Sequence, residues 1–124
     1  MWPNITLPPN ALESVRLITG RSHPELANAV AKQLGMPLME CPVTTFSNTE
    51  SRIKPSAGEE NTFRGKHMFV IQTGSFSAGC SINDHVMETR LLMDACRRGG
   101  CKSITLVMPF YPYARQDKKD SSRF

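Results

Sequence analysis

The chain has 124 residues, 40% of them hydrophobic, the size and apolar content of one ordinary domain with a single core. No apolar stretch approaches the roughly 18 to 20 residues of a membrane span. Met1-Trp2-Pro3-Asn4 has neither the basic region nor the apolar run of a secretory leader, so a cytoplasmic protein without a membrane segment is expected. The net charge of +4 favours an anionic partner, a phosphate ligand or a nucleic acid; Arg115, Lys118, Lys119 and Arg123 crowd into the last ten residues, which favours a local site over a basic face.

Residues 1–14 begin proline-rich and without periodicity, and a loose arm is expected there, ahead of one domain over 15–124. Order is predicted to start with the β-prone run Val15 to Thr19, closed by Gly20. Ser22 and Glu25 have capping-box spacing around Pro24, and Leu26, Val30 and Leu34 recur every fourth residue beside Ala27 and Ala31. These predict an amphipathic helix that stops at Gly35, before Pro37. A second strand is expected over 38–43, and residues 46–53 stay ambiguous; the proline, glycine and acidic residues of 54–60 predict a hairpin loop, and Arg64-Gly65-Lys66 a turn.

Residues 67–73 contain Met68, Phe69, Val70 and Ile71 in succession, the pattern of a central strand covered on both faces. After the small residues of 74–81, a helix is signalled by Asn83 as cap, by Val86, Met87, Leu91, Leu92, Ala95 and Cys96 within, and by Gly99-Gly100 at its end. Arg97 and Arg98 suit the negative end of its dipole. Residues 103–109 form the next strand. Strand, helix, strand therefore occurs twice, predicting right-handed crossovers and an α/β fold with a mainly parallel twisted sheet flanked by helices. Ligands of such sheets sit at the carboxyl ends of strands, which draws attention to the basic segment beyond Pro109.

Cys41, Cys80, Cys96 and Cys101 form no Cys-x-x-Cys pair and no metal-ligand spacing, so reduced thiols are expected; His23, His67 and His85 are isolated too, and no metal site is read from them. In Tyr113-Ala114-Arg115-Gln116-Asp117-Lys118-Lys119-Asp120, the arginine fork and the lysine point charges could neutralise a polyphosphate without a glycine-rich loop. Asp117 and Asp120 could accept from a base or hold waters around magnesium. Taken alone, such a charge run is more often a solvated loop of self-cancelling ion pairs. Phe46-Ser47-Asn48-Thr49-Glu50 offers an aromatic face for a nucleobase, with Asn48 and Glu50 as partners for an amino edge; the competing reading of Phe46 is an ordinary core or interface aromatic.

Taken in order, Ile18-Thr19-Gly20-Arg21-Ser22-His23-Pro24-Glu25-Leu26-Ala27, Phe46-Ser47-Asn48-Thr49-Glu50, Arg64-Gly65-Lys66, Ile82-Asn83-Asp84-His85-Val86-Met87-Glu88 and Pro112-Tyr113-Ala114-Arg115-Gln116-Asp117-Lys118-Lys119-Asp120 resemble the N-terminal domain of ribose-phosphate pyrophosphokinase, the phosphoribosyl pyrophosphate (PRPP) synthase. The resemblance runs over residues 15–123, and its last motif is highly specific.

The resemblance implies a phosphoribosyltransferase-like domain, one of two in tandem, in an enzyme that moves the diphosphoryl group of ATP to ribose 5-phosphate with magnesium and releases AMP. It implies that Arg115 and Gln116 contact ATP, that the residues from Asp117 to Asp120 line the same pocket, and that Phe46, Asn48 and Glu50 reach the adenine from a neighbouring subunit of a homo-oligomer, the family's hexamer. Arg115 is the expected catalytic residue, countering charge on the leaving AMP. Thr62, Arg64, Lys119 and Arg123 match positions near a regulatory anion site.

Two departures accompany the resemblance. The stretch between Glu50 and Arg64 is several residues longer than usual, and the family's metal-binding histidine segment, catalytic-lysine loop and ribose-phosphate loop are expected beyond Phe124. The preferred expectation is a portion of an active synthase. The alternatives are a non-catalytic paralogue that docks onto full-length synthase subunits, and a basic nucleic-acid module; the second is disfavoured because no aromatic-interleaved basic strand or recognition helix is visible.

Overall fold

In a computed structural model, which describes residues 8–39, 41–54, 62–77 and 79–116, order begins one helix earlier than the pattern predicts. Helix α1 (Pro9–Ser14) follows an extended Pro8 and opens with the Ala11 amide donating to Pro8 O at 2.9 Å. A proline in the first turn sacrifices no hydrogen bond, since that N–H has no intrahelical acceptor. Six residues are too few to display a period, which is why the segment reads as aperiodic. The expected arm is thus helical over Pro9–Ser14, and its first seven residues lie outside the described ones.

Strands β1 (Val15–Thr19), β4 (His67–Ile71) and β5 (Ser103–Val107) pair in parallel in the order β1-β4-β5, with Thr19, Ile71 and Val107 aligned at the carboxyl edge. Strand β4 is central as expected, with Met68 and Val70 fully buried. Alternation along β1 divides the core. Leu17 packs with Ala31 and Met36 on the side of helix α2 (Pro24–Leu34), and Ile18 packs with Met68, Val70, Leu92 and Cys96 on the side of helix α3 (Ile82–Arg98).

Both helix caps differ from expectation. His23, not Ser22, caps α2, its Nδ1 accepting from the Leu26 amide at 3.1 Å. Ser22 turns inward instead, its amide and hydroxyl donating to Gln72 Oε1 at 3.1 and 2.7 Å. Helix α3 is capped by Ser81, not Asn83. The Asp84 amide donates to Ser81 Oγ at 3.1 Å and the Ser81 amide to Asp84 Oδ2 at 2.7 Å, a reciprocal capping box. The backbone hydrogen bond from Ser81, helped by the Ser81 hydroxyl, lowers the pKa of the Asp84 carboxyl.

The strand expected over 38–43 does not form as one piece. Leu38 makes a single parallel bridge to Leu17, and Pro42, which has no N–H, interrupts the run. The ambiguous segment instead holds an antiparallel hairpin, β2 (Val43–Thr45) with β3 (Ser51–Ile53), turning at residues 46–50. Its Val43 and Ile53 pack onto the core beside α3. The hairpin loop expected at 54–60 lies, beyond Lys54, outside the described residues.

Cys41, Cys80, Cys96 and Cys101 are free thiols. Burial pushes the Cys41 thiol up to about 11 and, with its neighbouring cysteines, Cys96 up to about 12. Among the described residues no helix is long and apolar enough to cross a membrane.

Candidate functional site

The chain leaves β5 at the sheet's carboxyl edge and is fastened there before it reaches Arg115. The Gln72 amide donates to Val107 O at 3.1 Å and the Gly74 amide to Phe110 O at 2.9 Å. Pro112 is buried against Gly74 so tightly that a Cβ there would lie 2.5 Å from its ring. Tyr113 takes a left-handed backbone (φ 64°), unfavourable for a residue with a Cβ, and its hydroxyl donates to Asn83 Oδ1 in the first turn of α3. A single 3-10 turn, Ala114–Gln116, then presents Arg115 at the surface.

Arg115 lines a cavity of about 650 Å³. Phe76, Phe110, Pro112 and Tyr113 supply apolar walls, and Ser81 and Asn83 add polar groups from the start of α3. The volume is that of a small-molecule site, and a largely apolar wall with an exposed guanidinium at its edge suits a ligand with a flat apolar body and an anionic end. The placement beyond the strand ends is the one expected from the order of elements. Phe76, Phe110, Tyr113 and Asn83 were not anticipated as its walls; the aromatic run Phe110-Tyr111-Pro112-Tyr113 was the visible signal.

Phe46, Asn48 and Glu50 occupy the hairpin turn and line none of that cavity. The Phe46 amide donates to Glu50 O at 2.8 Å, and Asn48 Oδ1 accepts from the Glu50 amide at 3.1 Å. Thr49 adopts φ 75° at the tip. Phe46 is half exposed, with the Arg52 guanidinium carbon 5.6 Å from its ring centre, so the ring is neither a core aromatic nor free of a partner. Glu50 faces a separate cavity of about 430 Å³ that it shares with Asp84, Met87 and Leu91 of α3.

Thr62 and Arg64 lie at the opposite, amino-terminal edge of β4. There Thr62 Oγ1 accepts from the Arg64 amide at 3.4 Å and the Gly65 amide donates to Gly100 O at 2.9 Å. They are therefore not brought to Arg115. Asp117, Lys119, Asp120 and Arg123 lie outside the described residues, and Gln116 is described only by its backbone. Among the described residues no group of three or more His, Cys, Asp or Glu could hold a metal ion.

Sequence reasoning also missed a buried polar network at the same edge. Glu88 is fully buried on α3 and receives the Arg21 amide (3.2 Å), Arg21 Nε (2.5 Å), and Gln72 Nε2 (3.0 Å); Arg21 Nη2 lies 2.5 Å from it. His85 is buried beside it, Nδ1 at 3.4 Å from Glu88 and Nε2 at 2.6 Å from Ser77 Oγ. The signal was present: His85, Glu88 and Thr89 share one helix face with Leu92 and Cys96, and polar groups on a buried stripe need partners.

Comparison with known proteins shows the family and the fold. Residues 15–124 match the family described as the N-terminal domain of ribose phosphate pyrophosphokinase. The chain is 42% identical over 113 residues to ribose-phosphate pyrophosphokinase 2 of Schizosaccharomyces pombe, covering 91% of this chain and 33% of that protein. It is 42% identical over 110 residues to ribose-phosphate pyrophosphokinase of Bradyrhizobium diazoefficiens, covering 89% and 32%. The crystal structure of phosphoribosylpyrophosphate synthetase from Mycobacterium smegmatis superposes with a TM-score of 0.75 at 40% identity, over 86% of this chain and 33% of that one. The chain thus spans about a third of the length of these relatives.

Proposed function

The chain belongs to the ribose-phosphate pyrophosphokinase family as its N-terminal domain, and on that premise we propose that it forms the ATP-holding part of a cytoplasmic PRPP synthase serving nucleotide biosynthesis. The observation that carries the reading is Arg115, exposed at the rim of an aromatic-walled cavity beyond the carboxyl ends of a parallel sheet. In the reaction, the 1-hydroxyl oxygen of ribose 5-phosphate attacks the β-phosphorus of ATP. The new O–P bond forms as the bond from that phosphorus to the α-bridging oxygen breaks, the hydroxyl proton passes to solvent, and AMP leaves with the electron pair. Charge builds on the departing phosphate, where a fixed guanidinium stabilises the transition state more than the ground state.

Gln116, Asp117 and Asp120 continue the ATP contact from Arg115, while Phe46, Asn48 and Glu50 serve the adenine of a neighbouring copy in a homo-oligomer. Their separation from the Arg115 cavity within one chain supports a shared site of that kind. Magnesium would arrive on the triphosphate and counter its charge. Thr62, Arg64, Lys119 and Arg123 remain the proposed regulatory anion set. A non-catalytic paralogue is not favoured, because the Arg115-Gln116-Asp117 motif is intact.

The test is Arg115→Ala in the whole synthase. Turnover should fall by about 10²- to 10³-fold with an unchanged circular-dichroism spectrum. Unaltered kinetics would remove Arg115 from the site.

A further inference from the structure

The hairpin of β2 and β3 is a sheet of its own, with no strand pairing to the three-stranded sheet. Packing of Val43 and Ile53 fixes its base, but its turn projects away from them. A side-chain hydrogen bond at the end of β2 would help to fix where residues 46–50 point. One is available at the right place. Arg21, two residues past the end of β1, donates from Nη1 to Thr45 Oγ1 at 3.0 Å, and Thr45 is the last residue of β2, directly before Phe46.

Arg21 can act as a fixed strut because three of its other nitrogens are anchored. Its backbone amide, Nε and Nη2 all engage the carboxylate of Glu88, which is fully buried and further held by Gln72. Loss of the guanidinium would leave the buried carboxylate short of its charged partner, so the guanidinium plane is set by Glu88 and its outer Nη1 reaches the hairpin. Gly20 makes the approach possible, since a Cβ there would collide with the Gln72 amide.

We propose that Arg21 is a positioning residue for nucleotide binding: seated on buried Glu88 at the sheet's carboxyl edge, it grips Thr45 and holds the turn of Phe46, Asn48 and Glu50 in its binding orientation. The inference rests on the reading that this turn contacts the nucleotide. Arg21 itself touches no substrate.

Thr45→Val removes the acceptor while keeping the side-chain volume and leaving the Arg21 and Glu88 pair intact, so the fold should survive. In the whole synthase it should raise the KM for ATP about three- to ten-fold with kcat within about two-fold, and Thr45→Ser, which keeps the hydroxyl, should restore the original KM. Arg21→Lys loses both the grip on Thr45 and the paired donors to Glu88, so it should raise the KM for ATP as Thr45→Val does and lower the melting temperature as well. Hydrogen exchange of the Phe46 amide, measured in the same variants, should quicken in Thr45→Val and Arg21→Lys and recover in Thr45→Ser. Valine and serine variants alike in both readouts would overturn the proposal. So would faster exchange with an unchanged KM, which would also detach residues 46–50 from the nucleotide. Loss of turnover in Arg115→Ala beside silent Thr45 variants would sink the strut alone and leave the proposed function standing.

Discussion

Adding one methyl group at Gly74 tests whether the turn before Arg115 is held by contact with the end of the central strand. A Cβ there would lie 2.5 Å from Pro112 Cδ and 2.8 Å from its Cβ and Cγ, against the roughly 3.5–4.0 Å at which carbon atoms rest. The proline ring is closed onto its own backbone and buried, so it cannot rotate aside; the turn must move as a unit. Overpacking of this kind costs about 1–3 kcal/mol, and the hydrogen bond from the Gly74 amide to Phe110 O contributes about 1 kcal/mol more if it breaks. A loss of about 2–4 kcal/mol lowers the melting temperature of a domain this size by on the order of 10 °C. Gly65→Ala is the control, because Gly65 has φ 70° with open space around it and only the left-handed penalty of about 1–2 kcal/mol applies. Thermal unfolding followed by circular dichroism, with and without Mg-ATP, separates the two. Gly74→Ala should unfold earlier and lose ATP protection, whereas Gly65→Ala, at the other edge of the sheet, should keep it. Equal melting temperatures and equal protection would refute the packing argument.

Tyr113→Phe removes only the hydroxyl that reaches Asn83, so the KM for ATP should rise a few-fold, following about 1 kcal/mol of lost positioning, while the melting temperature stays nearly unchanged; steady-state kinetics and a melting curve check it. The buried thiols make stability fall at high pH. Cys41 and Cys96 stay protonated up to about 11 and 12 when folded, against 9.0 for an unperturbed thiol, so the unfolded state releases protons first and urea midpoints should drop as pH rises from 9 toward 11. Replacing Cys96 by alanine should flatten that limb, and an unflattened limb would assign it to other groups.

The parallel sheet was legible because residues 67–73 put four apolar side chains in a row, as a doubly covered strand does, within a repeated strand, helix, strand order. The carboxyl-edge location of Arg115 followed from the order of elements alone. The hairpin was not legible. Its three-residue strands are too short to show alternation, and its turn depends on Asn48 and on a left-handed Thr49, a residue type that seldom adopts that conformation. The caps were misassigned for a related reason. Ser22 and Asn83 are good capping residues by type, but tertiary partners claim both side chains, Gln72 the first and Tyr113 the second, and the neighbouring His23 and Ser81 take over the helix ends. Local chemistry nominates a cap, and long-range contacts choose among the nominees.

That substitution gives the start of α3 a role beyond ending a loop. Because Ser81 and Asp84 satisfy the helix amides between themselves, Asn83 is free to hold Tyr113 and so the turn that presents Arg115. One residue on, Asp84 borders the cavity of Glu50 in the hairpin, and one turn further Glu88 seats the Arg21 that grips Thr45. Two surfaces that share no cavity are therefore referenced to the same first two turns of one helix, whose inner face is buried through His85, Glu88, Thr89 and Leu92. A helix packed on that face moves as a rigid body, so a shift of α3 displaces the arginine turn and the hairpin together. Within one chain, the spacing between the arginine turn and the hairpin is therefore referenced to α3.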